Sequence, residues 1–172
     1  RYDFQDDHGL SGTYHGDGIV ARFAGSVVRV ADVPSHLALD ANTDMLYIAD
    51  SGHHRIAVLD TQSGSKGGTV TPNYDGGTQY WITGADLTTF VDNPVDVTLT
   101  TPSGLALVSD VLYVTDNAES RILAFDLNGT LLDWLDTGLP AGSLAGLTFD
   151  DSGRLYVADM SGDTVIRVSP KK

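Results

Sequence analysis

Cysteine is absent from this sequence of 172 residues. Disulfide-stapled scaffolds, zinc–thiolate sites, iron–sulfur clusters and thioether-linked haem are therefore excluded for these residues. The apolar runs are also short, as at residues 105–108 (LALV), whereas a membrane-spanning helix needs roughly 20 apolar residues. We therefore predict no membrane span.

Glutamate and lysine are nearly absent as well. Of the 23 acidic residues only Glu119 is a glutamate, and the lysines are Lys66, Lys171 and Lys172. Because aspartate is a poor helix former and a common turn residue, this composition predicts short strands joined by tight turns. The net charge of −13 repels phosphate backbones, so we expect no nucleic acid partner.

The sequence does not begin with methionine but with Arg1. We expect from this that its start is processed or truncated. The missing cysteine and the acidic surface lead us to expect a location outside the cytoplasm, either periplasmic or secreted.

A three-part phrase occurs three times along the chain. The copies are residues 34–40, 45–50 and 55–60; residues 102–107, 111–116 and 121–126; and residues 145–150, 154–159 and 164–168. The tyrosines of the middle part, Tyr47, Tyr113 and Tyr156, are separated by 66 and then 43 residues. Each part is short and almost continuously apolar, which predicts strands in sheets that are covered on both faces.

An all-β repeat of this length is typical of propeller blades. The phrases at 102–107 (PSGLAL), 111–116 (VLYVTD) and 121–122 (RI) resemble the NHL repeat. The resemblance covers residues 15–60 and 102–169, and it implies an all-β, NHL-type β-propeller segment of about three four-stranded blades. We expect a single partial propeller domain over 1–172, with a strand and linker at 1–33 and blades at 34–101, 102–143 and 144–172.

Three blades are too few for a closed ring, which needs about four to eight. The resemblance to NHL propellers implies a ring of six. An open arc would expose two apolar blade faces. We therefore expect a protein partner, or self-association through the open blade edges, to complete the ring; missing blades, or three blades with covered edges, are the alternatives.

An insertion separates the first two copies, since Gly104 lies 68 residues after His36 but only 42 before Gly146. We expect the insertion within residues 61–100 and predict that its aromatic side chains bind a partner. These aromatic residues are Tyr74, Tyr80, Trp81 and Phe90. The alternative is an extended outer hairpin whose aromatic residues pack on the blade.

Histidines supply the candidate metal ligands. His36 occupies a position that is glycine in the other two copies, on the strand that lines a propeller channel, where an imidazole can bind metal or transfer a proton. His53 and His54 follow Asp50, and a neighbouring carboxylate and imidazole can hold a divalent ion. A solvated turn is the alternative. We expect no required cofactor, with calcium or zinc as the candidate ions.

An aspartate ends the middle part of every copy. These residues are Asp50, Asp116 and Asp159. We expect them to accept backbone N–H bonds, or to pair with Arg55 and Arg121, and so to fix the geometry of the blades.

Together these patterns predict a noncatalytic protein-binding or assembly module on an NHL propeller, completed by a partner chain or by missing blades. The alternative is a metal-dependent lyase or hydrolase with a channel-facing His36. A third possibility is a purely structural subunit of a larger assembly.

Overall fold

The computed structural model describes residues 2–3, 19–70, 78–92 and 94–169. Strands dominate this part of the chain, and its only helical segment is a 3-10 turn at Ser51–His53. The strands form four sheets, which belong to two compact units. One unit comprises Arg1–Ser26 and Thr61–Asp86, and the other comprises Val27–Asp60 and Leu87–Lys172.

The first unit contains one sheet, which we call the small sheet. Its strands, in spatial order, are β1 (Tyr2–Asp3), β2 (Ile19–Phe23), β7 (Thr78–Thr83) and β6 (Ser65–Thr69). Strands β2 and β7 are parallel, whereas the other pairs are antiparallel. The predicted insertion therefore contributes β6 and β7 to a sheet that also uses an N-terminal strand.

The second unit contains three consecutive antiparallel sheets, which we call blades A, B and C. The strands of blade A are β3 (Leu37–Asp40), β4 (Met45–Asp50), β5 (Arg55–Asp60) and β8 (Leu87–Val91). The strands of blade B are β9 (Pro102–Val108), β10 (Val111–Asp116), β11 (Arg121–Asp126) and β12 (Leu131–Asp136). The strands of blade C are β13 (Leu144–Phe149), β14 (Leu155–Asp159) and β15 (Thr164–Val168).

Tight turns of small polar residues connect these strands. Between β9 and β10, Ser109 and Asp110 have φ values of 49° and 63°, as a two-residue type I′ hairpin requires. The second turn of each blade likewise ends in a left-handed residue, namely His54, Ser120 or Asp163. The abundance of aspartate and serine therefore serves the turns of the meander.

The hydrophobic core lies between neighbouring blades. One cluster joins blades A and B through residues such as Ile56 and Leu105, and a second joins blades B and C through residues such as Ile122 and Leu147. Blades A and B thus each bury one face against the blade that follows, as the continuously apolar strands predict.

The first strands of the three blades lie side by side. The His36 N–H donates to the Ser103 carbonyl at 2.9 Å, and the Ser103 hydroxyl donates to the Leu144 carbonyl at 3.1 Å. Meanders that pack face to face, with their first strands adjacent, make the architecture of a β-propeller. The chain is therefore an all-β propeller segment, as predicted. Blades A and B have the expected four strands, while blade C has three among the described residues.

The domain boundaries predicted from the repeats, including one domain over 1–172, stay a prediction. The range 34–101 contributes strands to both compact units, because β6 and β7 belong to the small sheet and β8 returns to blade A.

Candidate functional site

One repeat position on the first strand of each blade faces the preceding blade. Leu105 in blade B and Leu147 in blade C occupy it, and only 5% and 7% of their surfaces are exposed, because blades A and B cover them. Leu37 occupies the same position in blade A and is 59% exposed. Leu39, two residues further on the same face of β3, is also exposed. We call this the leading face of blade A.

The outer part of that face is covered. Ile48, Ala57 and Leu59 share the side of blade A with Leu37, since they alternate with the residues that face blade B, and they are buried. The open part of the leading face is therefore its first strand.

A position on the third strand of each blade faces the following blade. Ile56 in blade A and Ile122 in blade B occupy it with 0% and 4% of their surfaces exposed, whereas Val165 in blade C is 71% exposed. Ala158, which pairs with Val165 across β14 and β15, is exposed as well. We call this the trailing face of blade C.

A hollow of about 470 Å³ borders the trailing face. Its wall includes His36, Gly146, Thr148, Tyr156, Ala158 and Val165. A Cβ atom on Gly146 would lie 2.3 Å from His36 Cε1, so only glycine leaves room for the imidazole there. His36 thus reaches blade C, and the described residues place no carboxylate in the wall of the hollow beside it.

Asp150 anchors the rim of this face. Its carboxylate accepts bonds from the Arg154 guanidinium at 2.6 Å and from the Tyr156 hydroxyl at 3.1 Å. The backbone N–H of Arg154, followed by these side-chain donors, outweighs desolvation and lowers the pKa of Asp150 from 3.8 to about 2. The carboxylate therefore stays ionised at neutral pH and holds the tyrosine in place.

Asp50 gathers three donors at the end of β4. Its fully buried carboxylate accepts bonds from the Val28 N–H at 2.8 Å and from Arg55 Nε at 2.7 Å, and it lies 2.9 Å from His53 Nδ1. Burial raises the pKa of Asp50, but the bonds from Val28, Arg55 and His53 outweigh it, so the pKa lies below its ordinary value.

Asp116, the equivalent of Asp50 in blade B, accepts a different set of hydrogen bonds. Asp116 accepts the N–H groups of Thr100 and Thr101 at 2.6 and 2.9 Å. No ion pair joins it to Arg121 among the described residues; Arg121 lies 3.9 Å from a carboxylate oxygen of Glu119, and its buried Nε has no partner in this part of the chain. Of the two predicted roles, Asp116 therefore has the first: it accepts backbone N–H groups and does not pair with an arginine of the described residues.

The third aspartate bonds locally. Asp159 accepts the N–H groups of Ser161 and Gly162 at 3.0 and 3.1 Å. All three aspartates therefore receive backbone N–H bonds, and Asp50 adds an arginine.

The four predicted metal ligands do not come together. Asp50 contacts His53, while His54 Nδ1 bonds to the Thr100 carbonyl and His36 lies at the hollow of blade C. Among the described residues, no three histidine, aspartate or glutamate side chains stand close enough to hold a metal ion. Calcium or zinc binding stays a prediction.

The predicted aromatic residues lie in different places. Tyr80 and Trp81 are consecutive in β7 of the small sheet, so their side chains leave opposite faces. Lys66 Nζ lies 4.3 Å from the centre of the Tyr80 ring, and Trp81 is exposed. Phe90 belongs to blade A, where its ring meets Tyr47 edge-on at 4.9 Å.

The packing alternative therefore applies to Phe90, while Tyr74 lies outside the described residues. The binding role of the aromatic residues stays a prediction.

Sequence reasoning missed the end-face residues Leu37 and Val165. The signal was available, because aligning the repeats places each in the column of a residue that faces a neighbouring blade. The exposed Leu132 and Trp134 of β12 were missed too, although they alternate within residues 131–136 (LLDWLD). No helix in the described part of the chain is long and apolar enough to cross a membrane.

Comparisons with known proteins give a distant relative. No family model matches the chain. It is 29% identical over 175 residues to Protein SUPPRESSOR OF QUENCHING 1, chloroplastic, of Arabidopsis thaliana, and the match covers 91% of this chain. The chain spans 16% of the length of that curated relative.

Solved structures resemble the chain more loosely. A nidogen/laminin complex matches with a TM-score of 0.46 and 22% identity, over 77% of this chain and 46% of that one. A streptogramin B lyase matches with a TM-score of 0.44 and 12% identity, over 83% of this chain and 54% of that one. The propeller fold of this chain follows from its strand order and registers.

Proposed function

We propose that this chain is a noncatalytic assembly module built on an NHL-type propeller, and that it binds protein through its two end faces. One observation carries the proposal. The repeat positions of Leu37 and Val165 are buried where the described residues supply a neighbouring blade and exposed where they supply none. The exposed parts of the two end faces therefore carry the residues that make blade–blade contacts elsewhere in the molecule.

The chemistry of the end faces supports a protein partner. Leu37 and Leu39 on blade A, and Ala158 and Val165 on blade C, are aliphatic and exposed. Contiguous apolar surface that remains in water favours association. With a net charge of −13, nucleic acid is a poor candidate for the same surfaces.

The repeats support the NHL-type assignment, since three concordant copies lie on the three blades. The proposal also places the chain outside the cytoplasm, supported by the missing cysteine and the acidic surface. The relative from Arabidopsis thaliana is, by its name, a chloroplastic protein.

To test the proposal, the particle is purified from its native source with this chain as the affinity handle. Its native mass is then measured, and every protein in it is identified. We expect the particle to contain a further protein subunit in addition to the polypeptide that carries this sequence. Substituting Leu37→Asp together with Val165→Asp should release the single chain, because each charge would be buried against apolar surface.

Leu132→Asp is the matched control. Leu132 is 54% exposed but lies on the outer strand of blade B, so its substitution should leave the particle intact. A particle from the native source that consists of one polypeptide alone would contradict the proposal.

A further inference from the structure

We infer that the small sheet binds a neutral carbohydrate, which stacks on Trp81 and accepts hydrogen bonds from Arg22. The site goes beyond the proposed function and uses no residue of the two end faces. It belongs wholly to the compact unit that comprises Arg1–Ser26 and Thr61–Asp86.

Two exposed side chains of different chemistry stand next to each other on this sheet. Strands β2 and β7 are parallel, and Arg22 is paired with Trp81 in their register. Because paired residues of neighbouring strands point to the same face of a sheet, the guanidinium and the indole share one face. Both side chains are exposed, Trp81 to 42% of its surface. We call this side of the small sheet the tryptophan face.

Gln79 holds the guanidinium of Arg22 in place. Gln79 lies two residues before Trp81 on the same face of β7, and only 5% of its surface is exposed. Its side-chain oxygen accepts bonds from Arg22 Nε at 3.1 Å and from Arg22 Nη2 at 2.8 Å. A guanidinium has further N–H groups besides these two, and they can donate to a ligand that lies on the tryptophan face.

Strand β6 leaves the other side of Trp81 open. The register of β6 against β7 shifts between Lys66 and Thr69. The two residues inside this shift, Gly67 and Gly68, lie opposite Trp81. A Cβ atom on Gly68 would meet no atom within 4 Å. Bare backbone therefore borders the indole on this side, and a flat ring can lie across it.

This combination fits a sugar ring better than a protein side chain. A pyranose has C–H groups on its flat face and hydroxyl groups around its edge, so it can meet both the negative π face of an indole and the donors of a guanidinium. A protein anchor instead needs a well-packed apolar pocket around it, whereas Trp81 shares its face with Arg22, Gln79 and the exposed Thr83.

The charge of the chain favours an uncharged sugar. With a net charge of −13, the protein repels anionic ligands such as polymers of acidic sugars. A neutral polysaccharide meets no such repulsion and needs only the stacking surface and the hydrogen-bond donors. We therefore assign the tryptophan face to neutral glycans.

Trp134 provides an internal comparison. It is 43% exposed, and it also lies beside an arginine, Arg121. The guanidinium carbon of Arg121 stands 5.3 Å from the centre of the Trp134 ring, so this arginine lies over the indole. Arg22 is instead held by Gln79. The two indoles are thus equally exposed but differ in the position of the arginine, which makes Trp134 the matched control for Trp81.

A glycan array probed with the purified chain tests the inference, with neutral and acidic polysaccharides on the same array. We expect binding to neutral polymers such as β-glucan, galactomannan or xylan. This binding should persist when the NaCl concentration is raised from about 0.1 to 1 M, because the ligand carries no charge that salt can screen. Isothermal titration calorimetry with the polysaccharide that binds then gives the affinity.

Substitutions on the tryptophan face should weaken this affinity. Trp81→Ala should do so by about tenfold or more, since it removes the stacking surface, and Trp81→Phe should retain part of the binding. Arg22→Met should also weaken it, because the donors are lost while an apolar stem remains. Trp134→Ala should bind as tightly as the parent. Circular dichroism and thermal melting report whether each variant folds.

Three results would overturn the inference. These are no binding to any neutral glycan on the array, binding that survives Trp81→Ala unchanged, and an equal loss of affinity with Trp134→Ala. Binding to acidic glycans alone, lost at high salt, would likewise overturn the neutral ligand. None of these results bears on the end faces, because the two sites share no residue.

Discussion

Leu105 and Leu37 occupy the same position of the same repeat, yet one is buried and the other lies in water. Their local sequences match closely, with Pro-Ser-Gly before Leu105 and Pro-Ser-His before Leu37. The difference arises from the neighbouring blade: blade A covers Leu105, whereas no blade formed by the described residues covers Leu37. Burial in a stacked repeat is thus supplied by the neighbour, and an end repeat keeps its apolar surface until something covers it.

Truncating the two leucines should give the largest difference in the free energy of unfolding between equivalent positions. Leu105→Ala should lower the free energy of unfolding by about 2–5 kcal/mol, because it opens a cavity between blades A and B. Leu37→Ala should change the single chain by less than about 0.5 kcal/mol. Urea unfolding at low protein concentration measures both.

The second part of this prediction concerns concentration. If the leading face is an interface, the cost of Leu37→Ala should grow as the protein concentration rises, because association stabilises the folded chain by mass action. Equal losses for the two leucines at low concentration would contradict the comparison.

A smaller difference in stability is expected between two arginines, Arg55 and Arg121, which occupy equivalent positions but have different partners. Arg55 Nε lies 2.7 Å from the buried Asp50 carboxylate, whereas the buried Nε of Arg121 has no partner among the described residues. Arg55→Met should therefore cost about 1–3 kcal/mol, since it removes a charged partner from a buried carboxylate.

Arg121→Met is the matched variant and should stay within about 1 kcal/mol of the parent, because the methionine keeps the packing of the stem and removes an unpaired donor. Urea midpoints measure the pair. A loss at Arg121 as large as that at Arg55 would show that the two sites are equivalent after all.

The smallest effect concerns the rim of blade C and appears as a pH dependence. The pKa of Asp150 is lowered from 3.8 to about 2 in the folded chain. Its contribution to stability is therefore complete above the unfolded value, near 3.8, and disappears as the pH falls through about 2. Asp150→Asn should destabilise blade C at neutral pH, and this loss should shrink as the pH falls from about 3.8 towards 2.

Thermal melting between pH 2 and pH 7 measures this dependence, with the neighbouring exposed Asp151→Asn as the control. A pH-independent effect of Asp150→Asn would mean that packing, and not the ionised carboxylate, fixes Tyr156.

The sequence predicted the strands well because the repeat is visible three times. The middle parts of the three copies align on their Leu-Tyr pair. These parts, residues 45–50, 111–116 and 154–159, form the strands β4, β10 and β14. The insertion was harder. Its strands β6 and β7 pair with each other, and β7 also pairs with β2. Pairing between strands as distant in sequence as β2 and β7 leaves no local signal.

Side-chain partners were predicted least well. Asp50 and Asp116 occupy the same position of the repeat, each followed five residues later by arginine, but only Asp50 forms the ion pair. Asp116 is already occupied by two backbone N–H groups from the segment that enters blade B. Which donor reaches a carboxylate depends on the path of the connecting segment, and the repeat does not encode that path.

The absence of cysteine allows the central claim to be tested directly by thiol labelling. Single substitutions Leu37→Cys and Val165→Cys would report on the two end faces, with Leu132→Cys as the exposed control. The proposed assembly predicts that the first two thiols react much more slowly than the control in the intact particle, and as fast as the control after dissociation. Equal rates at all three positions in the intact particle would contradict the claim that the end faces are interfaces.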